Sequence, residues 1–490
     1  MRCPVSVLLA FMIVACGTPG PIAEVRGAWR VDGPLALRAI TFATDDYYFR
    51  PSTTEAEEGW LEVSENRTRP DGRRIRLHFI RFRSTSQQPG PPVVYLAGGP
   101  GGSGILSAAG DRYPLFMAMR AAGDVIALDP RGGGLSDPAP RCPGTWSYPL
   151  NRPLEVAVER ARLAPYLGDC AAHWADSVDV GSYTTVEGTA DLEDLRTALG
   201  SDRLSLWGIS SGTQLALAYL HRYPDRVHRA VLAGVEAPWQ TYKSPAGVDA
   251  VLGRLDSAIA ADRRASRVVR LIPALRAALD DLEGGRTVDV EYRGRRARVT
   301  VGPADLQRAM FFAFHERADL ERVLERLVPM IRGDYTALGV FALRSREDNG
   351  ELVMALSTDC AAGVGAARAA AIEAEAARAV LGDAGNLDLR TRCPSWSAGD
   401  LGDQYRTPFR SSAAVLFVSG TLDARTPPEN VAELLPWFPN GHHLVIAGAA
   451  HDDDLFLSAR SLRAVMSRFL ATGEVGRDHI TLGPLRFRLP

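Results

Sequence analysis

The chain lacks the features that mark several large protein classes. Lys and Arg number 56 against 58 Asp and Glu, a formal charge of −2. There is therefore no basic excess to grip a nucleic acid, and no acidic run forms a tail. The apolar run at residues 5–14 is too short to cross a bilayer. No Cys-x-x-Cys pair or Cys/His cluster has metal-ligand spacing, so no metal is expected. The glycine-rich residues 98–104 lack the Lys-Ser/Thr of a phosphate cradle and do not fit a dinucleotide fingerprint, so no cofactor is expected. There is no internal repeat. What remains is 490 residues, 46% hydrophobic and 23% charged. That is the composition of a globular protein large enough for two packed units.

Residues 1–15 read as an export signal: a weakly positive start at Arg2, an apolar run, then small residues. Ile13-Val14-Ala15-Cys16 is similar to a bacterial lipobox. That similarity implies lipid on Cys16 and an envelope lipoprotein attached to its membrane only through that lipid. A conventional cut nearby would instead give a periplasmic or secreted chain. A single acyl chain holds marginally, so firm anchoring needs more than one. Residues 16–36, rich in Gly, Pro and Ala, are expected to form a tether. Of six cysteines, Cys3 leaves with the signal. Cys142, Cys170, Cys360 and Cys393 remain, and an even number in an oxidising compartment suggests two disulfides. Proximity in sequence favours Cys142–Cys170 and Cys360–Cys393.

From residue 37 the pattern is β-like. Residues 60–63 and 75–82 alternate in the period of half-buried strands, joined by the turn Arg69-Pro70-Asp71-Gly72. Strand–helix alternation follows: strands at 93–96, 125–128, 204–207 and 230–232, with helices at 113–122, 186–199 and 212–223. Such a rhythm implies a mostly parallel sheet covered on both faces. At about residue 241 it stops. Helical patterns dominate to about residue 406, broken by a hairpin about Arg293-Gly294. The expected architecture is an α/β core over 37–240 and 407–490, with a helical lid inserted at 241–406. The alternation resumes with strands at 414–418 and 443–446 and helices at 428–435 and 455–470.

The most informative stretch is Leu204-Ser205-Leu206-Trp207-Gly208-Ile209-Ser210-Ser211-Gly212. A strand running into G-x-S-x-G and then a helix is the context of a nucleophile elbow. The turn leaves no room for side chains two residues either side of the serine. A serine hydroxyl needs a base, and the base an orienting acid. Asp423 follows the 414–418 strand, and His451 follows the 443–446 strand. That is the chain order Ser, Asp, His. His442 and His443 compete for the base but begin a strand rather than follow one. Ser211 competes with Ser210 but is off the motif's centre. The oxyanion needs fixed donors: the Ser211 N–H, and one from the loop after the first core strand, Gly99 or else Gly98.

These residues together resemble the prolyl/tripeptidyl aminopeptidase group of α/β-hydrolases. Gly98-Gly99-Pro100-Gly101-Gly102-Ser103-Gly104 is similar to that group's Gly-Gly-Pro-Gly loop. Asp129-Pro130-Arg131-Gly132-Gly133-Gly134-Leu135-Ser136 is similar to its Asp-x-Arg-Gly-x-Gly-x-Ser motif. Residues 60–74 resemble its opening hairpin, and Cys360 and Cys393-Pro394-Ser395-Trp396 the paired cysteines of the tripeptidyl branch. Ala97 stands where the prolyl branch has His, which favours the tripeptidyl-like, secreted branch. The resemblance implies an exported α/β-hydrolase with an inserted lid. It would release short peptides or Pro-containing residues from peptide N-termini through an acyl-enzyme. The same triad equally suits a carboxylic ester or a lactone, and a non-catalytic binding protein is a third reading. An exopeptidase must hold a substrate ammonium. Glu236, Glu351 and Asp359 are candidates; the Asp452-Asp453-Asp454 run beside His451 is a further place for a cation, with a solvated loop as the expected reading.

Overall fold

The computed structural model describes residues 23–44, 52–347 and 350–490. The expected signal and Cys16 lie outside them. Its strands are β1 Ala23–Val25, β2 Arg30–Asp32, β3 Leu35–Ala43, β4 Thr53–Ser64, β5 Arg74–Phe82, β6 Gly90–Leu96, β7 Gly123–Leu128, β8 Leu204–Ser210, β9 Val227–Val235, β10 Arg286–Tyr292, β11 Arg295–Val301, β12 Ala414–Gly420, β13 Gly441–Ala447 and β14 His479–Thr481. Twelve form one sheet in the order β1-β3-β4-β5-β7-β6-β8-β9-β12-β13-β14, with β2 also on β3. From β7 to β14 the neighbours are parallel. The strands β1 to β5 add an antiparallel wing, joined where β5 meets β7.

The parallel strands are continuous apolar runs because both of their faces are covered. One face packs Phe116, Phe456, Met466 and Phe469 against Trp207 and Val418. The other packs Leu192, Leu195, Leu217 and Val431 against Leu206 and Phe417. The hairpin between β4 and β5 closes as its turn residues predict, with the Gly72 N–H donating to the Arg69 carbonyl at 2.8 Å. The sheet is thus the expected α/β-hydrolase arrangement, with β8 flanked by β6 and β9 at its centre.

After β9 the helices Pro245–Ala261, Leu271–Asp281, Pro303–Ala313, Val323–Ile331, Thr336–Arg346, Val353–Ala362 and Ala366–Ala376 follow, with the β10–β11 hairpin among them. The first five share an apolar cluster of their own, and Val353–Ala362 packs in a second, smaller one. Three features differ from the expected boundaries. The stretch expected as a tether carries β1 and β2 and the start of β3, because backbone pairing needs no apolar side chains. A helix at Val156–Trp174, with Pro165 inside it, was not apparent from the pattern. It packs Leu163 and Leu167 against Val353, Leu356 and Trp396, so residues 142–174 join the inserted helices rather than the sheet. Finally, Leu485 and Phe487 are buried in the cluster of the inserted helices with Leu422 and Ala450. The Arg486 and Arg488 N–H groups hold that tail to Glu321 at 3.0 and 2.7 Å.

The disulfides Cys142–Cys170 and Cys360–Cys393 both staple this second cluster. They close stretches with sequence separations of 28 and 33 residues. Loops of that order restrict the unfolded chain by about 3–4 kcal/mol each. Changing both Cys360 and Cys393 to Ser is therefore expected to lower the urea midpoint of the inserted helices. Urea unfolding followed by far-UV circular dichroism checks this, and an unmoved midpoint would show that the bridge is energetically idle.

Candidate active site

β8 ends at Ser210, whose backbone sits at φ 53°, ψ −128°. This is a strained conformation for a residue with a side chain, of the kind that clusters at functional sites. Its neighbours enforce it. A Cβ on Gly212 would stand 2.2 Å from the Leu96 carbonyl oxygen, and one on Gly208 3.0 Å from that of Gly212. The helix Ser211–Arg222 therefore starts hard against the end of β6. Thr213 fixes the turn from behind: its hydroxyl donates to the Ser210 carbonyl at 2.6 Å and accepts from the Glu236 N–H at 2.8 Å.

The loop after β6 faces this turn. A Cβ on Gly98 would lie 3.1 Å from Ser210 Cβ. Gly99 and Gly101 adopt φ of +134° and +90°, which side chains disfavour. The Gly98 carbonyl accepts from the Gly102 N–H at 3.0 Å, closing the loop on itself. Beneath, Asp129 anchors the assembly. Its carboxylate accepts from Ser103 Oγ at 2.7 Å, Ile105 N–H at 3.1 Å and Leu135 N–H at 2.7 Å. Arg131 makes a buried bidentate pair with Asp191 at 2.7 and 2.6 Å. The Asp129-to-Ser136 motif thus ties loop, helix and sheet together. The loop backbone and the N-terminus of the Ser211–Arg222 helix are brought to Ser210 from two sides, which is the placement an oxyanion site requires.

Asp423 and His451 come from the loops after β12 and β13. Asp423 Oδ2 lies 2.8 Å from His451 Nδ1. That contact assigns the ring proton to Nδ1 and leaves Nε2 as the basic nitrogen. Thr426, which sequence reasoning missed, donates its hydroxyl to Asp423 Oδ2 at 2.6 Å, and the Arg425 and Thr426 N–H groups reach Oδ1 at 2.9 and 2.8 Å. The signal was a threonine three residues after the acid, a common turn pattern. Burial alone would push the Asp423 carboxyl up; the His451 ring and these hydrogen bonds outweigh it and hold it below the ordinary range. Ser210 is level with Val235 on β9. A Cβ on the adjacent Gly234 would stand 2.9 Å from His451 Cε1. The sheet therefore gathers all three residues at the ends of β8, β12 and β13. The competitors lie elsewhere: His443 sits on β13 against Ser419 at 3.0 Å, and His442 against the Phe469 ring.

The Asp452-Asp453-Asp454 run is not a solvated loop. Asp452 pairs with Arg112 and with His315 at 3.2 Å, and Asp453 with Arg112 at 2.8 Å. Asp454 accepts from the Arg317 and Ala450 N–H groups. Apolar neighbours such as Leu455 and Phe456 draw the run inward, and the charges find partners there. Among the ammonium candidates, Glu351 pairs with Arg392 at 3.0 Å within the inserted helices. Glu236 directly follows β9 and pairs with Lys243. Asp359 lies on the Val353–Ala362 helix. Enclosure and the nearby Glu236 carboxylate push its carboxyl up to about 7, against the pull of Lys243 and Arg392. Among the described residues, no group of His, Cys, Asp and Glu is arranged to hold a metal ion.

A serine in a strained turn, a buried His451–Asp423 pair and a glycine-rich loop against the serine are the kinds of group that acyl transfer to water uses. Comparison with known proteins agrees with the fold. Residues 91–264 match the family model described as alpha/beta hydrolase fold, and residues 352–481 the one described as TAP-like protein; between them they cover more than half of the chain. The chain is 32% identical to Serine protease Hip1 of Mycobacterium tuberculosis over 188 residues, 37% of this chain and 36% of that protein. It is 30% identical to a tripeptidyl aminopeptidase of Streptomyces lividans over 194 residues, 37% of this chain and 35% of that one. It is 29% identical to a proline iminopeptidase of Xanthomonas citri over 185 residues, 38% of this chain and 42% of that one. The chain thus spans little more than a third of the length of the first two. By the sheet it builds and by the models it matches, it belongs to the alpha/beta hydrolases, with a TAP-like C-terminal part.

Proposed function

We propose that this protein is an exported serine hydrolase that removes short peptides or Pro-containing residues from the free amino terminus of peptides. Ser210 attacks the carbonyl carbon, and His451 Nε2 takes its proton. Asp423 holds the ring and stabilises the imidazolium. The N–H groups of Ser211 and of Gly99 or Gly98 receive the oxyanion. The amine product leaves with the proton from His451, and water then attacks the acyl-enzyme by the same route. The named peptidase relatives support a peptide substrate.

The observation that carries the exopeptidase reading is the pair Glu236 and Asp359. Glu236 is joined through Thr213 to the Ser210 turn. Asp359 is close enough for the Glu236 charge to raise its pKa. This reading gives the pair the task of receiving a substrate ammonium, with Lys243 and Arg392 as the cations that such a group would join or displace. Asp359→Asn is expected to raise KM for a peptide with a free amino terminus about 10–100-fold, the size of effect that removing one charge-assisted hydrogen bond produces. It should leave an N-acetylated peptide or a p-nitrophenyl ester unaffected. Because only the ionised carboxyl attracts the ammonium, KM should fall as pH rises through about 7. The substitution should flatten that dependence. Equal KM values for free and acetylated substrates in the unmodified protein would favour the ester or lactone hydrolase instead.

Two disulfides support an oxidising compartment. Among the described residues no helix is long and apolar enough to cross a membrane. Attachment through lipid on Cys16 remains the proposed anchor. Cys16→Ser should then shift the protein from the membrane to the soluble envelope fraction.

A further inference from the structure

Three of the inserted helices, Pro303–Ala313, Val323–Ile331 and Thr336–Arg346, line a pocket of about 280 Å³ that opens to solvent on one side. The first helix lines it with Leu306, Ala309, Met310 and Ala313. Those positions are i, i+3, i+4 and i+7, one stripe of one helix face. The other two helices present stripes of the same spacing. Three such stripes ordinarily interdigitate to close packing. Here alanines at 309 and 313 leave space between the helices, and Ala337 stands at its open side. An apolar cavity of roughly 150 Å³ admits a benzene ring, and small-ligand sites begin at about 300 Å³. The space is therefore of a size to take one medium-length aliphatic chain.

The charged groups in its lining carry one sign. Arg326 and Arg344 are there, and no acid lines it. Arg326 is steadied by Asp319 at 3.2 Å, and Arg344 lies 5.0 Å over the Tyr292 ring. Met310 and Met330 add walls that adapt to a flexible ligand. An apolar body with arginines in its wall has the chemistry of a single aliphatic chain ending in a carboxylate.

We propose that this cavity binds a fatty acid. None of its lining residues belongs to the triad, and the proposal does not depend on the peptidase reading.

Titration calorimetry of the full chain with sodium dodecanoate, held below its micellar concentration, tests the proposal. A saturable one-to-one isotherm is expected. Ala309→Phe with Ala337→Phe, which fills the space, should weaken binding at least about tenfold while leaving ester hydrolysis unchanged. Arg344→Gln should weaken dodecanoate about tenfold but leave dodecan-1-ol unaffected, since only the carboxylate gains a charge-assisted hydrogen bond. Absence of saturable binding to the unmodified protein overturns the proposal, as does equal affinity in the filled variant. If the filled variant does not fold, Arg344→Gln decides alone: the same weakening for acid and alcohol, or none for either, counts against it.

Discussion

Ser210→Ala is expected to lower kcat on any substrate the protein turns over by a factor of order 10⁵–10⁶, with KM little changed. The magnitude is that of losing the nucleophile from a serine triad, where the three side chains act as one unit. Ser210 is held in its turn by Gly208, Gly212 and Thr213 rather than by its own hydroxyl. Removing the oxygen should therefore leave the fold intact, and circular dichroism and the melting temperature should not move. A fluorophosphonate probe should label the unmodified protein and not the variant. Retention of more than a few per cent of the hydrolysis rate would mean that another residue attacks; Ser211, the first residue of the following helix, would be the next to test.

Asp423→Asn is expected to cost about 10⁴ in kcat near neutral pH. The carboxylate accepts from His451 Nδ1, from the Thr426 hydroxyl and from two backbone N–H groups. An amide keeps the shape but offers one acceptor oxygen. With its NH₂ facing the ring, it would hold His451 in the wrong tautomer, protonated on Nε2, where it cannot take the serine proton. The activity should be partly recovered at high pH, where hydroxide replaces the missing base in activating the serine. Thr426→Val is the companion measurement: it removes one donor without touching the acid and should cost far less. If Asp423→Asn and Thr426→Val cost the same, the carboxylate is only a turn anchor.

The core of this assignment was readable from the chain because the relevant signals are local. A tight turn demands glycine at 208 and 212, and a buried parallel strand demands the apolar runs at 204–207 and 414–418. Asp423 and His451 were found by their place after such strands. Partners that depend on the third dimension were not readable. Thr426, His315 and Arg112 gain their roles from segments that meet only after folding. The Asp452–Asp454 run reads as solvent-exposed, because nothing local reveals Arg112 some 340 residues away. The helix at Val156–Trp174 escaped because it interrupts the strand–helix rhythm and carries an internal proline. β1 and β2 escaped because edge pairing to β3 leaves little mark on side-chain polarity.

The burial of Leu485 and Phe487 among helices that precede them by more than a hundred residues has a practical outcome. Residues 241–406 are not a transplantable module. Excised or swapped into a related scaffold, they would leave behind these two side chains, along with Leu422 and Ala450, and would present bare apolar surface to water. A chimera that exchanges the cover between relatives has to carry residues 482–490 with it, and residues 142–174 as well, which pack on the same inserted helices.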